Sequence, residues 1–165
     1  MTCHKFSDVS PTMRHTMVVD ALCDVARRHG ITVSKEPRCF TYTSETLRRP
    51  DIIFHTPKRI VTDVTIVGQS IDVGVEASRA ADEKNKIHKT AVEKTNMLFY
   101  PFAMEQYGHM DKAANSMLEA IATQLPRHFH YSFVRDARHA VATAMAKARV
   151  LTIMSALGRA DALLR

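Results

Sequence analysis

One apolar strand constrains the fold of this chain more than any other segment. The stretch from Arg59 to Val67 is rich in β-branched residues and predicts a strand with apolar side chains on both faces. Such a strand lies at the centre of a sheet that is covered on each side. The same strand carries an acid, Asp63, which shares a face with Val61 and Thr65. An ionised carboxylate in that position is costly unless it is paired or coordinated.

A second acid stands at the start of the preceding predicted strand, Asp51–His55. Asp51 leads directly into an apolar run, and the turn-forming Thr56–Lys58 joins the two strands. Two carboxylates on neighbouring strands offer oxygen ligands to a hard cation such as Mg²⁺, which indicates phosphodiester chemistry. Structural alternatives stay open, because Asp63 could simply pair with a lysine and Pro-Asp dipeptides are common in turns.

The remaining hydrophobic periodicity predicts the order α-β-β-β-α-β followed by further helices. Outside the two acid-bearing strands, the predicted elements are a helix begun by Ser10-Pro11 and ended by Gly30, a strand over 31–35, a loop over 39–49, a helix over 76–94, a strand over 97–104, and helices over 111–124 and 133–156. Pro101 indicates an edge or irregular position for the fourth strand. We interpret residues 1–165 as a single α/β domain.

The helix that follows the central strand carries a lysine on its inner face. The residues that mark the sheet-facing side are Ala77, Ala80, Ala81, Ile87, His88 and Ala91. Lys84 falls on this face, whereas Lys86 is displaced from it. An inward lysine above two strand aspartates would complete a site of two carboxylates and one amine. The alternative is a lysine that extends along the rim of the helix into solvent.

The net charge of +6 is unevenly distributed. From Pro126 onward the chain has seven Lys and Arg residues against two Asp and Glu, whereas the earlier part is almost balanced. A basic C-terminal third fits a polyanionic partner, because neutralising phosphates releases counterions. A solvated helical surface is the alternative interpretation of the same charge.

Composition argues against several other classes of protein. No uninterrupted apolar run approaches the roughly 20 residues that span a bilayer, and the first residues do not resemble a signal peptide. The three cysteines lack CxxC spacing, so neither a disulfide framework nor a closed zinc site is indicated. These features predict a protein of a reducing compartment, nuclear or cytoplasmic, without a membrane partner.

Several short motifs occur together in a fixed order. They are Met13-Arg14-His15, Ala26–Gly30, Glu36-Pro37-Arg38, Arg49–Ile52, Asp63–Val67, Glu83–Lys89 and Phe99–Gly108. In order and spacing they resemble the restriction-like endonuclease domain of site-specific non-LTR retrotransposons, a family of the PD-(D/E)XK nuclease superfamily. The resemblance spans roughly residues 13 to 110, which is most of the predicted domain.

The resemblance implies a PD-(D/E)XK restriction-endonuclease-like core, with a central mixed four-stranded sheet flanked by helices and extra C-terminal helices. It implies that Asp51 and Asp63 bind Mg²⁺ (or Mn²⁺). It also implies a catalytic lysine that has moved from the strand, where Thr65 stands, to the following helix. Either Lys84 or Lys86 fills that position, depending on the alignment, and helical phase favours Lys84.

The implied function is a Mg²⁺-dependent DNA endonuclease that nicks a retroelement target site, acting on double-stranded or branched DNA. The remainder of a retroelement polyprotein is a further expected partner, and the oligomeric state stays open. The residues expected to contact DNA are Arg14, His15, Arg48, Arg49, Lys89, Arg127, Arg135 and Arg138. Two other hypotheses are a catalytically weak or inactive DNA-binding module of the same fold, and an interaction protein that uses its methionine-rich helices.

Overall fold

The computed structural model describes residues 11–41 and 49–163, except for the side chains of residues 11 and 158–163. The chain has an α/β fold in which a mixed four-stranded sheet is flanked by four α-helices. In chain order the elements are α1 (Pro11–Arg28), β1 (Val33–Lys35), β2 (Ile52–Phe54), β3 (Ile60–Val67), α2 (Val75–Glu93), β4 (Leu98–Glu105), α3 (Lys112–Ala122), a 3-10 turn (Arg127–Phe129) and α4 (His130–Leu163). The predicted order of strands and helices is confirmed. Two predicted features, the Ser10 cap and most of the 39–49 loop, lie outside the described residues.

The strands are arranged in the order β1-β2-β3-β4. Both β1 with β2 and β2 with β3 pair antiparallel, whereas β3 and β4 pair parallel. Parallel neighbours require a crossover connection, which α2 provides. The expectation that β3 is a central strand is confirmed. Strand β4 lies at the edge, as Pro101 indicated, and Pro101 stands opposite Asp63 in the register.

Helices cover both faces of the sheet. Residues of α1, α3 and α4 form the main core against one face, together with Ile60 and Val64 of β3. Helix α2 covers the other face, where Val61 packs against Val92 and the alanines of α2 pack against Ala103. Because side chains alternate along a strand, Asp63 faces α2 together with Val61. The fold therefore directs this acid towards the helix that carries Lys84.

The capping contacts at the helix ends show which predicted helix boundaries are accurate and which are not. Gly30 adopts a positive φ of 78°, and the amide of Ile31 donates to the carbonyl of Ala26 at 2.9 Å, which terminates α1 as predicted. Helix α3 begins one residue later than predicted, because Asp111 caps it by accepting from the amide of Ala113. Helix α4 extends beyond its predicted limits at both ends. Its N-terminal turn was missed because that turn is polar and adds nothing to the apolar periodicity.

The start of α2 is fixed by the end of β4. The amide of Gly74 donates to Glu105 Oε1 at 2.7 Å, and Glu105 is fully buried. Gly74 has a φ of 89°, and a Cβ at this position would lie 2.7 Å from His109 Nε2. The positive φ therefore favours glycine at this corner, whereas the exposed imidazole of His109 can move away from an added side chain.

Helix α4 contains a long apolar segment. Within the described residues, the helical segment Arg127–Leu157 contains an 18-residue window with a mean hydropathy of 1.4, which is long and apolar enough to cross a membrane. This window includes Lys147 and Arg149, so it is not an uninterrupted apolar run, and the expectation of no membrane partner stays a prediction. One such helix is a weak indication of a membrane protein, since core helices of soluble proteins meet the same criterion.

Candidate active site

Asp51 is held at the edge of β2 by both its backbone and its side chain. It lies one residue before β2 rather than within it, yet its amide donates to the carbonyl of Thr62 and its carbonyl accepts from Glu36, so it extends the ladder. Its carboxylate oxygen Oδ2 accepts a 2.6 Å hydrogen bond from the amide of Val64. The same oxygen lies 2.9 Å from His15 Nε2 on α1. These bonds orient the side chain towards the middle of β3.

Asp63 is bound to two side chains of α2. Its Oδ2 lies 2.6 Å from Lys84 Nζ and 3.0 Å from His88 Nε2. Lys84 and His88 are one helical turn apart, so both reach the same oxygen from the same face of α2. The side chain of Asp63 is only 6% exposed, whereas that of Lys84 keeps 29% of its surface open to solvent. The buried Asp63 carboxylate is thus paired with an amine that solvent can reach.

The two carboxyl groups have pKa values shifted in opposite directions. Burial raises the pKa of Asp51, and the neighbouring Asp63 carboxyl adds to that rise, against the hydrogen bond from His15. Burial would also raise the pKa of Asp63, but hydrogen bonds with His88 and Asp51 and the charge of Lys84 lower it to about 2. Two adjacent acids whose environments separate their pKa values are typical of functional sites.

The ion pair between Asp63 and Lys84 alone would be compatible with a structural role. A structural pair, however, needs a single acid. Here Asp51 lies beside Asp63, and the interaction of the two carboxyl groups shifts the pKa values of both. Placing two carboxylates together with little exposure to solvent is unfavourable for the fold, which is the pattern expected of a cation-binding or catalytic site.

The structure distinguishes the two lysines proposed for the helix position. Lys84 reaches Asp63, whereas Lys86 is exposed to solvent. This agrees with the helical phase of the sheet-facing residues, of which Ala77, Ala80, Ala81 and His88 are buried. The catalytic role of either lysine stays a prediction, but the geometry assigns Lys84 to the carboxylate pair.

Two histidines belong to this site for reasons that the sequence did not reveal. His15 was expected to contact DNA, yet its imidazole binds Asp51. That hydrogen bond raises the pKa of His15 despite partial burial. His88 was recognised only as a sheet-facing residue, whereas it is fully buried against Asp63 and Phe99. A polar residue within an otherwise alanine-rich inner face was the available signal for His88.

The residues expected to contact DNA are divided between two ends of the molecule. Arg14 adjoins the site on α1 and donates to Gln106 Oε1 at 3.4 Å. Arg135 and Arg138 lie near the other end of α1, where Asp136 binds both Arg135 and His29. His15 and His29 are separated by about 20 Å along α1 at 1.5 Å per residue.

The other residues of that group have simpler surroundings. Lys89 and Arg127 are exposed, and Arg49 is half-buried beside Asp51 in the chain. Arg138 donates to the side-chain oxygen of Asn115 at 3.0 Å. Arg48 lies outside the described residues. DNA contact by any of these residues stays a prediction.

The donor set fits a hard divalent cation. In the parts of the chain that the structure describes, no group of three or more His, Cys, Asp and Glu side chains is arranged to hold a metal ion. Magnesium is nevertheless bound in many proteins by one or two carboxylates, with waters and substrate phosphates as the other ligands. The oxygens of Asp51 and Asp63 supply this minimal set, and Mn²⁺ accepts the same ligands.

Comparisons with protein families and with curated proteins do not identify relatives of this chain. No family model matches the sequence, and no curated protein matches it either. The functional assignment therefore rests on the arrangement of the site itself.

Proposed function

We propose that this protein is a Mg²⁺-dependent DNA endonuclease of the PD-(D/E)XK type that nicks one strand, as at a retroelement target site. The observation that carries the proposal is the meeting of three side chains: the buried carboxylate of Asp63, the partly buried carboxylate of Asp51, and the amine of Lys84 at 2.6 Å from Asp63. The mixed sheet with a crossover helix between its parallel strands supports the proposal, because it matches the core that the motif resemblance implies.

Each of the three side chains has a task in phosphodiester hydrolysis. Asp51 and Asp63 would hold the cation, which supplies a more acidic bound water and stabilises charge on the scissile phosphate. Lys84 is partly exposed, so its amine can approach a phosphate oxygen or orient the attacking water. The hydrogen bonds from Val64 and His15 hold Asp51 in position, which keeps the carboxylates preorganised.

The number of sites sets the outcome of the reaction. One carboxylate pair cuts one strand at a time, so a single copy of this chain is expected to nick a duplex. Double-strand cleavage would require two copies or two successive binding events. Basic residues around the site would bind the DNA backbone, which positions a duplex without reading its sequence.

Plasmid nicking tests the proposal directly. Wild-type protein with Mg²⁺ is expected to convert supercoiled plasmid to the nicked form, and Asp63→Asn should lower the rate at least about 100-fold, because it removes one of only two carboxylate ligands. The matched control is Asp136→Asn, since Asp136 binds a histidine and an arginine at the opposite end of α1. Equal nicking by wild type and Asp63→Asn at equal purity would disprove the assignment.

A second candidate function is a DNA-binding module that has little or no turnover. It is favoured by the absence, among the described residues, of a three-ligand cluster arranged for a metal ion. It is also favoured by the way Asp63 is already paired with Lys84 and hydrogen-bonded to His88. This alternative predicts salt-dependent DNA binding that is insensitive to Mg²⁺ and to Asp51→Asn.

A further inference from the structure

A small groove lies at the end of β4 and is lined by aromatic and basic side chains. Its volume is about 210 Å³, and its lining residues are Arg14, Gln106, Tyr107, Arg149, Thr152 and Ile153. Tyr107, at the corner after β4, keeps 64% of its surface exposed. The groove is smaller than the roughly 300–1,000 Å³ of pockets that enclose drug-sized ligands, so it suits a single ring.

The polar contacts around Tyr107 give the groove a defined shape. The guanidinium of Arg149 lies 4.7 Å from the centre of the Tyr107 ring, and it also donates to the backbone carbonyl of Gln106. From the other side, Arg14 donates to the side chain of Gln106. The guanidinium of Arg149 thus stacks on the exposed Tyr107 ring, and Arg14 lines the same groove.

The groove and the carboxylate pair are connected through the first turns of α1. Arg14 lines the groove, and the next residue, His15, binds Asp51 at 2.9 Å. Gln106 follows directly after β4, which pairs in parallel with the strand that carries Asp63. The register places Gln106 five residues beyond Pro101, the partner of Asp63, which is about 16 Å along the strand. A DNA strand whose phosphate lies at the carboxylates would therefore reach this groove a few nucleotides away.

We propose that the groove binds an unpaired nucleotide a few positions from the scissile phosphate. Its base stacks on Tyr107, and Arg14 and Arg149 contact the adjoining backbone. Stacking on an aromatic ring is a sequence-tolerant way to hold single-stranded nucleic acid, and arginine adds attraction for both base and phosphate. The inference rests on the proposed nuclease function, and it specifies the substrate: DNA with an unpaired segment close to the cleavage site, such as a flap.

The opposite end of α4 offers similar residues without the same arrangement. Tyr131 is 78% exposed and borders a groove with Arg135, Arg138 and Glu119. Arg135 is paired with Asp136, and the carboxylate of Glu119 would repel a phosphate. Tyr131 is therefore a matched control for Tyr107, because both rings are exposed to solvent but have different electrostatic surroundings.

A fluorescence experiment distinguishes the two tyrosines. Because the chain contains no tryptophan, Tyr107→Trp and Tyr131→Trp each introduce a single indole. Both would be made in an Asp63→Asn background with EDTA, so that the DNA stays intact. We expect flap DNA to quench the indole of Tyr107→Trp at least about twofold, through base stacking, and to change that of Tyr131→Trp much less. Equal responses of the two probes would overturn the proposal.

A binding assay with labelled DNA gives an independent readout. Tyr107→Leu should weaken binding of flap DNA about fivefold or more, the effect of losing one stacked base, while duplex affinity changes less than about twofold. Unchanged flap affinity in Tyr107→Leu would overturn the groove while leaving the nuclease proposal intact. Failure of the parent protein to bind either DNA at low salt would instead refute the nuclease proposal, and the groove proposal with it.

Discussion

Helix α1 carries a histidine–aspartate pair near each of its ends, and the two pairs have different surroundings. His15 binds Asp51 at 2.9 Å, and His29 binds Asp136 at 3.2 Å. Asp136 also binds Arg135, so its charge is balanced at the surface of α4. Asp51 instead lies beside a second carboxylate, that of Asp63, which is itself paired with Lys84.

The difference shows that a residue pair does not define a site by itself. His29 packs edge-on against Phe129 and Phe133, which makes it part of the contact between α1 and α4. The Arg135 and His29 partners lower the pKa of Asp136, as in an ordinary surface ion pair. Burial raises the pKa of Asp51, which sets this acid apart as a group whose arrangement is unfavourable without a further ligand.

The largest expected difference between the two His–Asp pairs of α1 is in metal binding. Calorimetric titration of wild type with Mn²⁺ should show binding that is lost in Asp51→Asn/Asp63→Asn, because both oxygen ligands are replaced by amides. Asp136→Asn should bind like wild type. Metal binding that survives in the double variant would place the cation elsewhere and remove the distinction between the two acids.

The next largest effect should come from Lys84. Lys84→Ala should lower nicking about 100-fold, the usual size for loss of a positioned proton-transfer or charge-stabilising group. Lys86→Ala should cost clearly less, because Lys86 is exposed and Lys84 contacts Asp63. Single-turnover kinetics with saturating protein would separate this loss from weaker DNA binding. A larger loss in Lys86→Ala would reverse the assignment of the lysine.

Replacing His29 should reduce the stability of the fold more than replacing His15. His29→Ala removes a nearly buried ring from between Phe129, Phe133 and Asp136, so it should lower the free energy of unfolding by about 1–3 kcal/mol. His15→Ala should cost less, because the His15 side chain is 34% exposed. Urea denaturation monitored by circular dichroism provides both values. A greater destabilisation by His15→Ala would contradict the structural assignment of the His29 end.

The smallest effect should be a pH dependence of stability in metal-free protein. The hydrogen bond with Asp51 raises the pKa of His15 above 6.5, so protonated His15 stabilises the fold below that pH. The stabilisation is lost as pH rises through the folded-state pKa. Because the side chain is partly exposed, we expect at most about 1 kcal/mol.

Comparison of wild type with His15→Gln in EDTA, at pH 6 and pH 8, measures this effect. The excess stability of wild type should be larger at pH 6. Asp51→Asn removes the partner of the same imidazole and should abolish the pH-dependent part. An excess that grows towards pH 8 would contradict the direction of the shift.

The sequence predicted the arrangement of strands and helices well, because the relevant signals are local. Apolar periodicity located α2 and β3, and Pro101 placed β4 at an edge. The inward phase of Lys84 also followed from helical spacing. In each case the signal lies within a few residues of the feature that it predicts.

Contacts between distant segments were not predictable in the same way. His15 meets Asp51 because α1 packs across the sheet, and Arg149 meets Tyr107 because a long helix returns to the end of β4. No periodicity encodes such meetings. The division of the basic residues between two ends of the molecule was not predictable either, because a count of charges does not say where they lie in the fold.

The corner at Gly74 has a consequence for how relatives of this protein should be interpreted. The hydrogen bond between Gly74 and Glu105 helps to determine where α2 begins, and the start of α2 determines how far Lys84 stands from β3. Ten residues of helix transmit the placement of this corner over about 15 Å. Selection for an intact carboxylate–lysine site would therefore preserve these two positions together with the acids, although neither of them belongs to that site. In an alignment, conservation at this corner would reflect the position of α2 relative to the sheet rather than a chemical role of the corner residues.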